Sequence, residues 1–425
     1  MESRKRKTVN RQRNQSIYTT LQICYSMHRV RSTKSIATMI IIISSFIALP
    51  FHLLNGLPFI TTTSLTPSQL FEDVYGENDQ GSEVEAYLEF VSSIQPGNSG
   101  SSSATNATTT TTAQVPQTAK GPEIPSEKGY LVQEIGNQLY SVSDGSYNAM
   151  FMVTDQGVIA IDAPPTLGNK YLKAIAEITN KPVSHVIYSH AHLDHIGAAG
   201  VFPKNATYIA QQETANELQR AMNTATNKSA VPPVPTVTFP KNMTLQIGNQ
   251  TLQLDYHGNN HLPGNIFIYA PNQKALMLVD IIFPGWVPFA YLAIAKDTAG
   301  FIEAHDTALK NYDFDTIVAG HLTRIGTRAD VEVQKEFVLD LERVAARANQ
   351  NVSFMDIAAK VGFNDPWLLF SEYINTINKQ CEEEMLPKWE TRLGGAQSFM
   401  STHCVAMTQS GRVDPTVQAL FQSIS

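Results

Sequence analysis

Residues 188–202, YSHAHLDHIGAAGVF, place three histidines and one aspartate within six positions, directly after an apolar run. The whole chain has only 11 histidines, so this local density indicates a specific role. Imidazole and carboxylate groups together suit a borderline metal ion such as zinc, which binds histidine nitrogen at about 2.0–2.1 Å. We therefore predict a metal centre that includes the four residues His190, His192, Asp194 and His195.

The spacing within this motif also predicts that its four residues divide between two neighbouring metal positions. Along a strand the side chains at positions i and i+2 share a face, so His190 and His192 are expected to reach one ion together from a strand end. Asp194 and His195 follow at the turn into a helix, and we expect them to point to a second position beside the first. A polar loop with chance histidines is the alternative.

Three further polar residues flank apolar segments later in the chain. His261 lies in the loop GNNHLPGN before the apolar segment IFIY, Asp280 ends ALMLVD, and His321 ends TIVAGH. Taken singly, each could be an ordinary turn, surface or core residue. Together they fit side chains at the strand ends of one rim, and we expect them to complete the metal centre.

The body from about residue 128 consists of short apolar runs bounded by turn residues. The segments YLVQEI, QLYSVS, AMFMVT and GVIAIDAPP predict strands, KYLKAIAEIT predicts a helix, and VSHVIYSH predicts a buried strand. Later segments repeat the mixture up to TIVAGH. The pattern predicts an α/β body in which two sheets lie between helical layers.

The segment HAHLDH has the form H-x-H-x-D-H, and over roughly residues 128–325 the body resembles the metallo-β-lactamase superfamily. The resemblance implies a four-layer αββα sandwich that holds two metal ions, zinc or alternatively iron or manganese. It implies one ion on His190, His192 and His261, a second ion on Asp194, His195 and His321, and Asp280 as the bridge between them. An Asp at the bridging position is more like glyoxalase II and lactonase relatives than true β-lactamases that carry Cys there.

The predicted ligands favour hydrolysis. Flavo-diiron relatives carry Glu where this chain has His192, which argues against oxygen reduction. Zinc lowers the pKa of bound water from 15.7 to about 7, so we expect a metal-bound hydroxide, oriented by Asp194, to cleave a small ester, thioester, lactone or β-lactam-like substrate. One alternative is a mononuclear iron enzyme that oxidises persulfides through His190, His192 and Asp280 or His261. Another is a non-catalytic metal-binding surface protein.

Six other residues are candidates for supporting roles. For the substrate pocket these are Trp286, Phe289 and Tyr291, for which core packing is the alternative, and Arg324, for which an exposed surface position is the alternative. For support behind the metal ligands they are Asp162, which ends GVIAID where the superfamily has a strand-end aspartate, and His257, four positions before His261.

The front of the chain predicts a membrane anchor. Its first 34 residues carry nine Lys or Arg and one acid, and residues 36–60 are almost free of charge. A helix needs about 20 such residues to cross a bilayer, and basic residues before it stay in the cytoplasm. The predicted organisation is a basic cytoplasmic head (1–35), a transmembrane signal-anchor or signal peptide (36–60), a Ser/Thr/Pro-rich linker (61–127), a catalytic domain (128–328) and a C-terminal helical region (329–425).

Charge and cysteines bear on location and partners. The whole chain carries −7, and because the first 34 residues carry +8, the remainder carries −15, which disfavours nucleic acid as a partner. We expect a secreted or membrane-anchored protein whose catalytic domain lies outside the cytoplasm and acts on a small molecule. Cys381 and Cys404 could pair there, or could remain buried thiols. The C-terminal helices could close over the site, form a homodimer contact, or serve as a packing layer.

Overall fold

The computed structural model describes residues 115–424, and it places thirteen strands in two sheets. The predicted head (1–35), the predicted membrane segment (36–60) and most of the predicted linker lie outside the described residues. Within residues 115–424, no helix has both the length and the apolar character that a membrane span requires.

The first sheet has seven strands in chain order. They are β1 (Leu131–Gly136), β2 (Leu139–Ser143), β3 (Asn148–Thr154), β4 (Gly157–Ile161), β5 (Val183–Ile187), β6 (Thr207–Gln211) and β7 (Val237–Phe239). Strands β1 to β4 pair antiparallel, and β4 to β7 pair parallel. The strands predicted from the sequence between residues 130 and 190 are confirmed.

The second sheet has six strands. They are β8 (Asn242–Ile247), β9 (Gln250–Asp255), β10 (Phe267–Ala270), β11 (Ala275–Met277), β12 (Thr316–Val318) and β13 (Gly326–Thr327). Their order across the sheet is β13, β12, β11, β10, β9 and β8, and only β11 and β12 pair parallel.

Helices lie on both outer faces. The helices are α1 (Asn169–Ile178), α2 (Leu193–Ile196), α3 (Gln212–Thr224), α4 (Thr298–Asn311), α5 (Arg328–Asn351), α6 (Phe354–Val361), α7 (Pro366–Trp389), α8 (Ala396–Val413) and α9 (Pro415–Ile424). Residues of α1 and α3 pack against the first sheet. Residues of α4, α5, α7 and α8 pack against the second.

Side-chain alternation along β3 shows why the sheets are covered on both sides. Every residue of this strand is buried. Met150 and Met152 face the second sheet, where they pack in the core between the sheets. Phe151 and Val153 point the opposite way, into the core beneath the helices. Successive residues of a strand point to opposite faces, so a strand buried throughout needs a layer on each side. The predicted four-layer αββα sandwich with a C-terminal helical extension is therefore confirmed.

The C-terminal helices form part of the outer layer on the second sheet. Trp389 of α7 and Phe337 of α5 are fully buried and their rings lie 5.2 Å apart. Cys381 of α7 and Cys404 of α8 form a disulfide, with their Cα atoms 5.8 Å apart. The pairing that the sequence left open is thus present, and both cysteines are buried in the same core as the helices and the sheet.

We predict that replacing both cysteines, Cys381→Ser with Cys404→Ser, lowers the free energy of unfolding by about 3 kcal/mol, because the disulfide closes a loop with a sequence separation of 23. Urea unfolding monitored by circular dichroism under oxidising conditions measures this. Reductant should destabilise the parent protein and leave the double variant unchanged. An equal unfolding midpoint for the two oxidised proteins would contradict the prediction.

Candidate metal centre

The predicted ligands lie in loops at one rim of the sandwich. His190 follows β5, His321 follows β12, and Asp280 follows β11, each three residues beyond the strand end. His261 lies in the loop between β9 and β10. The prediction that these ligands flank strand ends is therefore correct, and the chain returns to the same rim from both sheets.

The predicted reason for the approach of His190 and His192 is wrong. Strand β5 ends at Ile187, so neither histidine belongs to a strand and strand alternation does not align them. The irregular turn between β5 and α2 brings their rings together, with centroids 4.8 Å apart. Asp194 and His195 lie on α2, a single helical turn.

The seven residues form two groups that could each hold a metal ion. The first group is His190, His192, His261 and Asp280, and the second is Asp194, His195 and His321. Within each group the candidate ligand atoms all lie within 4.8 Å of one another. The division is the one that the resemblance implied.

Asp280 contacts both groups. Its Oδ2 lies 3.2 Å from the Nε2 atoms of His261 and His195 and 3.5 Å from Nε2 of His190. Its Oδ1 lies 3.0 Å from Nε2 of His321. Burial alone would raise the pKa of Asp280, but the charge and hydrogen bond of His195, together with His321, hold it well below its usual value. The carboxylate is therefore ionised at the centre of the histidines.

The donor atoms fit metal ions. His190 Nε2 is buried without a hydrogen-bond partner among the described residues, an arrangement that is costly unless another group satisfies it. Ligand atoms at about 2.0–2.2 Å from a tetrahedral ion are about 3.3–3.5 Å from one another. The distances between imidazole and carboxylate atoms here, 3.0–3.5 Å, are close to that spacing.

Metal binding requires neutral imidazole, so a lowered histidine pKa favours it. Burial lowers the pKa of His190 well below its usual value and that of His261 to about 4. Burial alone would lower the pKa of His195 too, but the charge and hydrogen bond of Asp280 raise it to about 9. A cation in the second group would take the place of that proton.

A chain of hydrogen bonds supports the first group from behind. Ser189 Oγ lies 3.0 Å from Nδ1 of His190, and the Ser189 backbone N–H donates to Oδ1 of Asp162 at 2.8 Å. Asp162 is fully buried, and burial raises its pKa to about 6. The structure thus places Asp162 beneath the His190 turn, in the supporting position that the sequence suggested.

Two asparagines that sequence reasoning missed connect His261 to Asp280. Oδ1 of Asn260 accepts a hydrogen bond from the His261 backbone N–H at 2.6 Å and another from Nδ2 of Asn265 at 3.0 Å. Nδ2 of Asn265 also donates to the carbonyl of Val279, next to Asp280. The clustered asparagines of GNNHLPGN were the available signal, since a loop of that composition adjoining a ligand needs internal hydrogen bonds.

Tyr147 was also missed, and it covers the second group. Its ring centroid lies 4.7 Å from that of His321 and 5.6 Å from that of His195, and its hydroxyl hydrogen-bonds Asp194. Burial, together with the charges of Asp194 and Asp280, raises the pKa of Tyr147 to about 12, so the hydroxyl remains a donor. The segment DGSYN indicated only a turn.

Three other predicted residues have different contacts. His257 bonds the hydroxyl of Tyr312 at 2.7 Å and packs on Phe267, and no described contact joins it to the ligands. Arg324 pairs with Asp330 of α5. Trp286 donates to the carbonyl of Ala119 at 2.8 Å and packs beside Gly394. Core packing, the alternative for Trp286, describes its contacts, whereas Arg324 is largely buried in an ion pair and does not take the exposed surface position that was its alternative.

The other two predicted pocket residues are exposed. Phe289 is 53% and Tyr291 is 48% exposed. They belong to the connection that follows Asp280 and leads into α4. Unlike Trp286, they are open to solvent, so core packing does not account for them.

Residues 142–321 match the family model described as the metallo-beta-lactamase superfamily. The matched residues include all seven candidate metal ligands. It is 27% identical over 224 residues to "2,4-dinitroanisole O-demethylase subunit alpha" of Nocardioides sp. (strain JS1661), a match that covers 51% of this chain and 62% of the relative. It is 24% identical over 177 residues to "Metallo-beta-lactamase type 2" of Elizabethkingia meningoseptica, covering 41% of this chain and 68% of the relative.

A metallo-β-lactamase from Pontibacter korlensis superposes with a TM-score of 0.42 at 20% identity, covering 49% of this chain and 99% of that chain. The match with the O-demethylase subunit spans less than two thirds of that protein's length. The superfamily whose model residues 142–321 match consists generally of metal-dependent hydrolases, and the relatives are named as enzymes.

A substitution at Gly320 tests whether the second group binds a metal ion. A Cβ added there would lie 2.7 Å from Cε1 of His195 and 2.6 Å from a methyl group of Val279. We predict that Gly320→Ala displaces His195 and removes about one metal ion per chain while the far-ultraviolet circular dichroism spectrum is kept. Elemental analysis after dialysis measures the metal. Gly200→Ala is the matched control, because a Cβ at Gly200 meets nothing within 4 Å. Full metal content in Gly320→Ala would contradict the assignment.

Proposed function

We propose that this protein is a hydrolase that uses two metal ions, zinc in the first instance. His190, His192 and His261 hold one ion, Asp194, His195 and His321 hold the other, and Asp280 lies between them. The observation that carries the proposal is the position of the Asp280 carboxylate, which contacts histidines of both groups at 3.0–3.5 Å. A single-ion enzyme does not need the second group of ligands around the same carboxylate.

Bound zinc ions supply Lewis acidity that lowers the pKa of water to about 7 and polarises a carbonyl. The residues of the chain position the reactants. His190, His195 and Asp280 are buried and fix the centre, whereas the side chains of Asp194 and His321 are 44% and 22% exposed. Substrate therefore approaches on the side of Asp194 and His321.

Asp194 is the residue that we assign to orienting the nucleophile. Its carboxylate is the exposed acidic group of the two metal groups, and it accepts a hydrogen bond from Tyr147. This contact fixes the carboxylate on the open side of the centre, where Asp194 orients the attacking water.

The substrate class that we propose is a small ester, thioester, lactone or β-lactam-like compound. The superfamily and the name of the Elizabethkingia relative support this class. We do not include Arg324 in the proposed site, because Asp330 already occupies its guanidinium.

We propose a location outside the cytoplasm, either secreted or anchored through residues 36–60. The basic residues before that apolar segment support the orientation. The Cys381–Cys404 disulfide supports an oxidising compartment. The acidic charge of the chain beyond residue 34 supports a small-molecule substrate over nucleic acid.

A redox function is the second candidate, and the printed name of the Nocardioides relative, an O-demethylase subunit, is what favours it. A mononuclear iron enzyme would use His190, His192 and Asp280 or His261. It would leave His195, His321 and Asp194 without a metal-binding role.

Metal analysis and turnover by the purified protein test these candidates together. We expect about two zinc ions per chain and hydrolysis of at least one member of an ester, thioester and lactone panel. A chelator should remove the zinc and abolish the hydrolysis. His192→Ala and Asp194→Ala should each lower kcat/KM by roughly 100-fold or more. One iron per chain with oxygen consumption would favour the redox candidate, and equal rates in all three proteins would exclude catalysis at this site.

A further inference from the structure

The connection between Asp280 and α4 contains a left-handed turn. Four successive residues from Tyr291 to Ile294 have φ between 51° and 56°, and none of them is glycine. Side chains of L-amino acids disfavour this backbone, which is ordinarily visited by single residues. Such strained segments cluster at functional sites, where surrounding structure holds them in place.

Helix α8 holds this turn. The backbone N–H of Tyr291 donates to Oγ1 of Thr402 at 3.1 Å, and that of Leu292 donates to Nδ1 of His403 at 3.2 Å. His403 and Leu292 are fully buried. The inner half of the turn is therefore anchored in the core.

The outer half of the turn presents an apolar surface. Phe289, Tyr291 and Ile294 are 53%, 48% and 45% exposed. The ring of Phe289 lies 5.2 Å from that of Phe399 on α8, which limits its freedom.

The end of this segment is bonded to the metal centre. The backbone N–H of Lys296 donates to the carbonyl of His261 at 2.8 Å, and that of Asp297 donates to the carbonyl of Asn260 at 3.1 Å. Lys296 is exposed.

The Lys296 ammonium has no acidic partner among residues 115–424. The other basic residue considered near the site, Arg324, is paired with Asp330. An exposed cation next to apolar side chains is complementary to a ligand with an anionic group and an apolar body.

We propose that residues 289–296, the substrate rim, select substrates that combine an apolar chain with an anionic group, and that Lys296 binds the anionic group. Phe289 and Tyr291 contact the apolar part. The inference rests on the proposed hydrolase function for the identity of the substrate, and it deepens that function by naming the substrate class.

Two matched esters test the role of Lys296. 4-Nitrophenyl octanoate and 4-nitrophenyl hydrogen suberate share the leaving group and the chain length, and they differ in a terminal carboxylate. We expect Lys296→Gln to lower kcat/KM for the suberate ester roughly fivefold, the effect of a partly exposed ion pair, mainly through KM. The octanoate ester should change less than twofold. Lys296→Arg should retain the parent preference, and Lys360→Gln, which removes an exposed charge from α6, should have no effect.

A binding measurement separates this inference from the proposed function. Isothermal titration calorimetry of the metal-loaded protein with octane-1-sulfonate and with octan-1-ol needs no turnover. If Lys296→Gln removes a preference for the sulfonate while the parent protein cleaves no member of the ester, thioester and lactone panel, the rim assignment stands and the hydrolase proposal fails. If Lys296→Gln leaves both the sulfonate preference and the ester ratio at their parent values, the rim assignment fails, whatever the protein hydrolyses.

Thr402 tests the positioning of the rim. Thr402→Val removes the acceptor for the Tyr291 N–H and keeps the shape of the side chain, whereas Thr402→Ser keeps the hydroxyl. We expect the valine variant to raise KM several-fold for both esters, with kcat and metal content unchanged, and the serine variant to behave as the parent. A fall in kcat or metal content with unchanged KM would show that Thr402 supports the metal centre instead of the rim.

Discussion

The contact of one buried carboxylate with four imidazoles governs the arrangement of this protein. Asp280 comes from the second sheet, whereas His190 and His195 come from the loop after a strand of the first sheet, so the carboxylate joins the two halves of the sandwich at the rim. Burying an ionised carboxylate is unfavourable unless opposite charge and hydrogen bonds compensate it. The loops therefore have to converge, and the strand ends that carry them have to lie side by side. A bound metal ion would satisfy buried nitrogen atoms such as His190 Nε2, which lacks a hydrogen-bond partner among the described residues.

Sequence could predict those parts of the structure that local pattern specifies. The strands β1 to β5 follow from apolar runs separated by turn residues, and the ligand set follows from a dense histidine motif combined with polar residues after apolar segments. The explanation for His190 and His192 was wrong because the apolar pattern does not show where strand β5 ends. Two residues separate the end of β5 from His190, so strand alternation does not set the direction of the histidine side chains. Tyr147 and Asn265 escaped notice because their contacts with His321 and with the carbonyl of Val279 depend on how the chain folds, and no periodicity marks them. The pairing of Cys381 with Cys404 was undecidable for the same reason, since it depends on how α7 and α8 pack.

The left-handed turn shows tertiary structure overriding local preference. The segment AYLAI contains no glycine or asparagine, and its residues favour right-handed helix. Left-handed backbone costs roughly 1–2 kcal/mol per residue for such side chains. Two backbone hydrogen bonds to Thr402 and His403, together with burial of Leu292 and Ala293, hold it in place. No window of sequence around residue 291 contains that information, because the restraining groups lie on a helix more than one hundred residues later.

This dependence changes how the C-terminal helices are understood. From sequence they could be a lid, a dimer contact or a packing layer, and their contacts show the last of these on the second sheet. Helix α8 also carries Thr402, His403 and Cys404 in succession, so the residues that restrain the turn adjoin the disulfide. The disulfide contributes about 3 kcal/mol, which is of the same order as the cost of a few left-handed residues. A packing layer that is stabilised in this way can hold a strained segment beside the metal centre, and it thereby links the stability of the extension to the shape of the site.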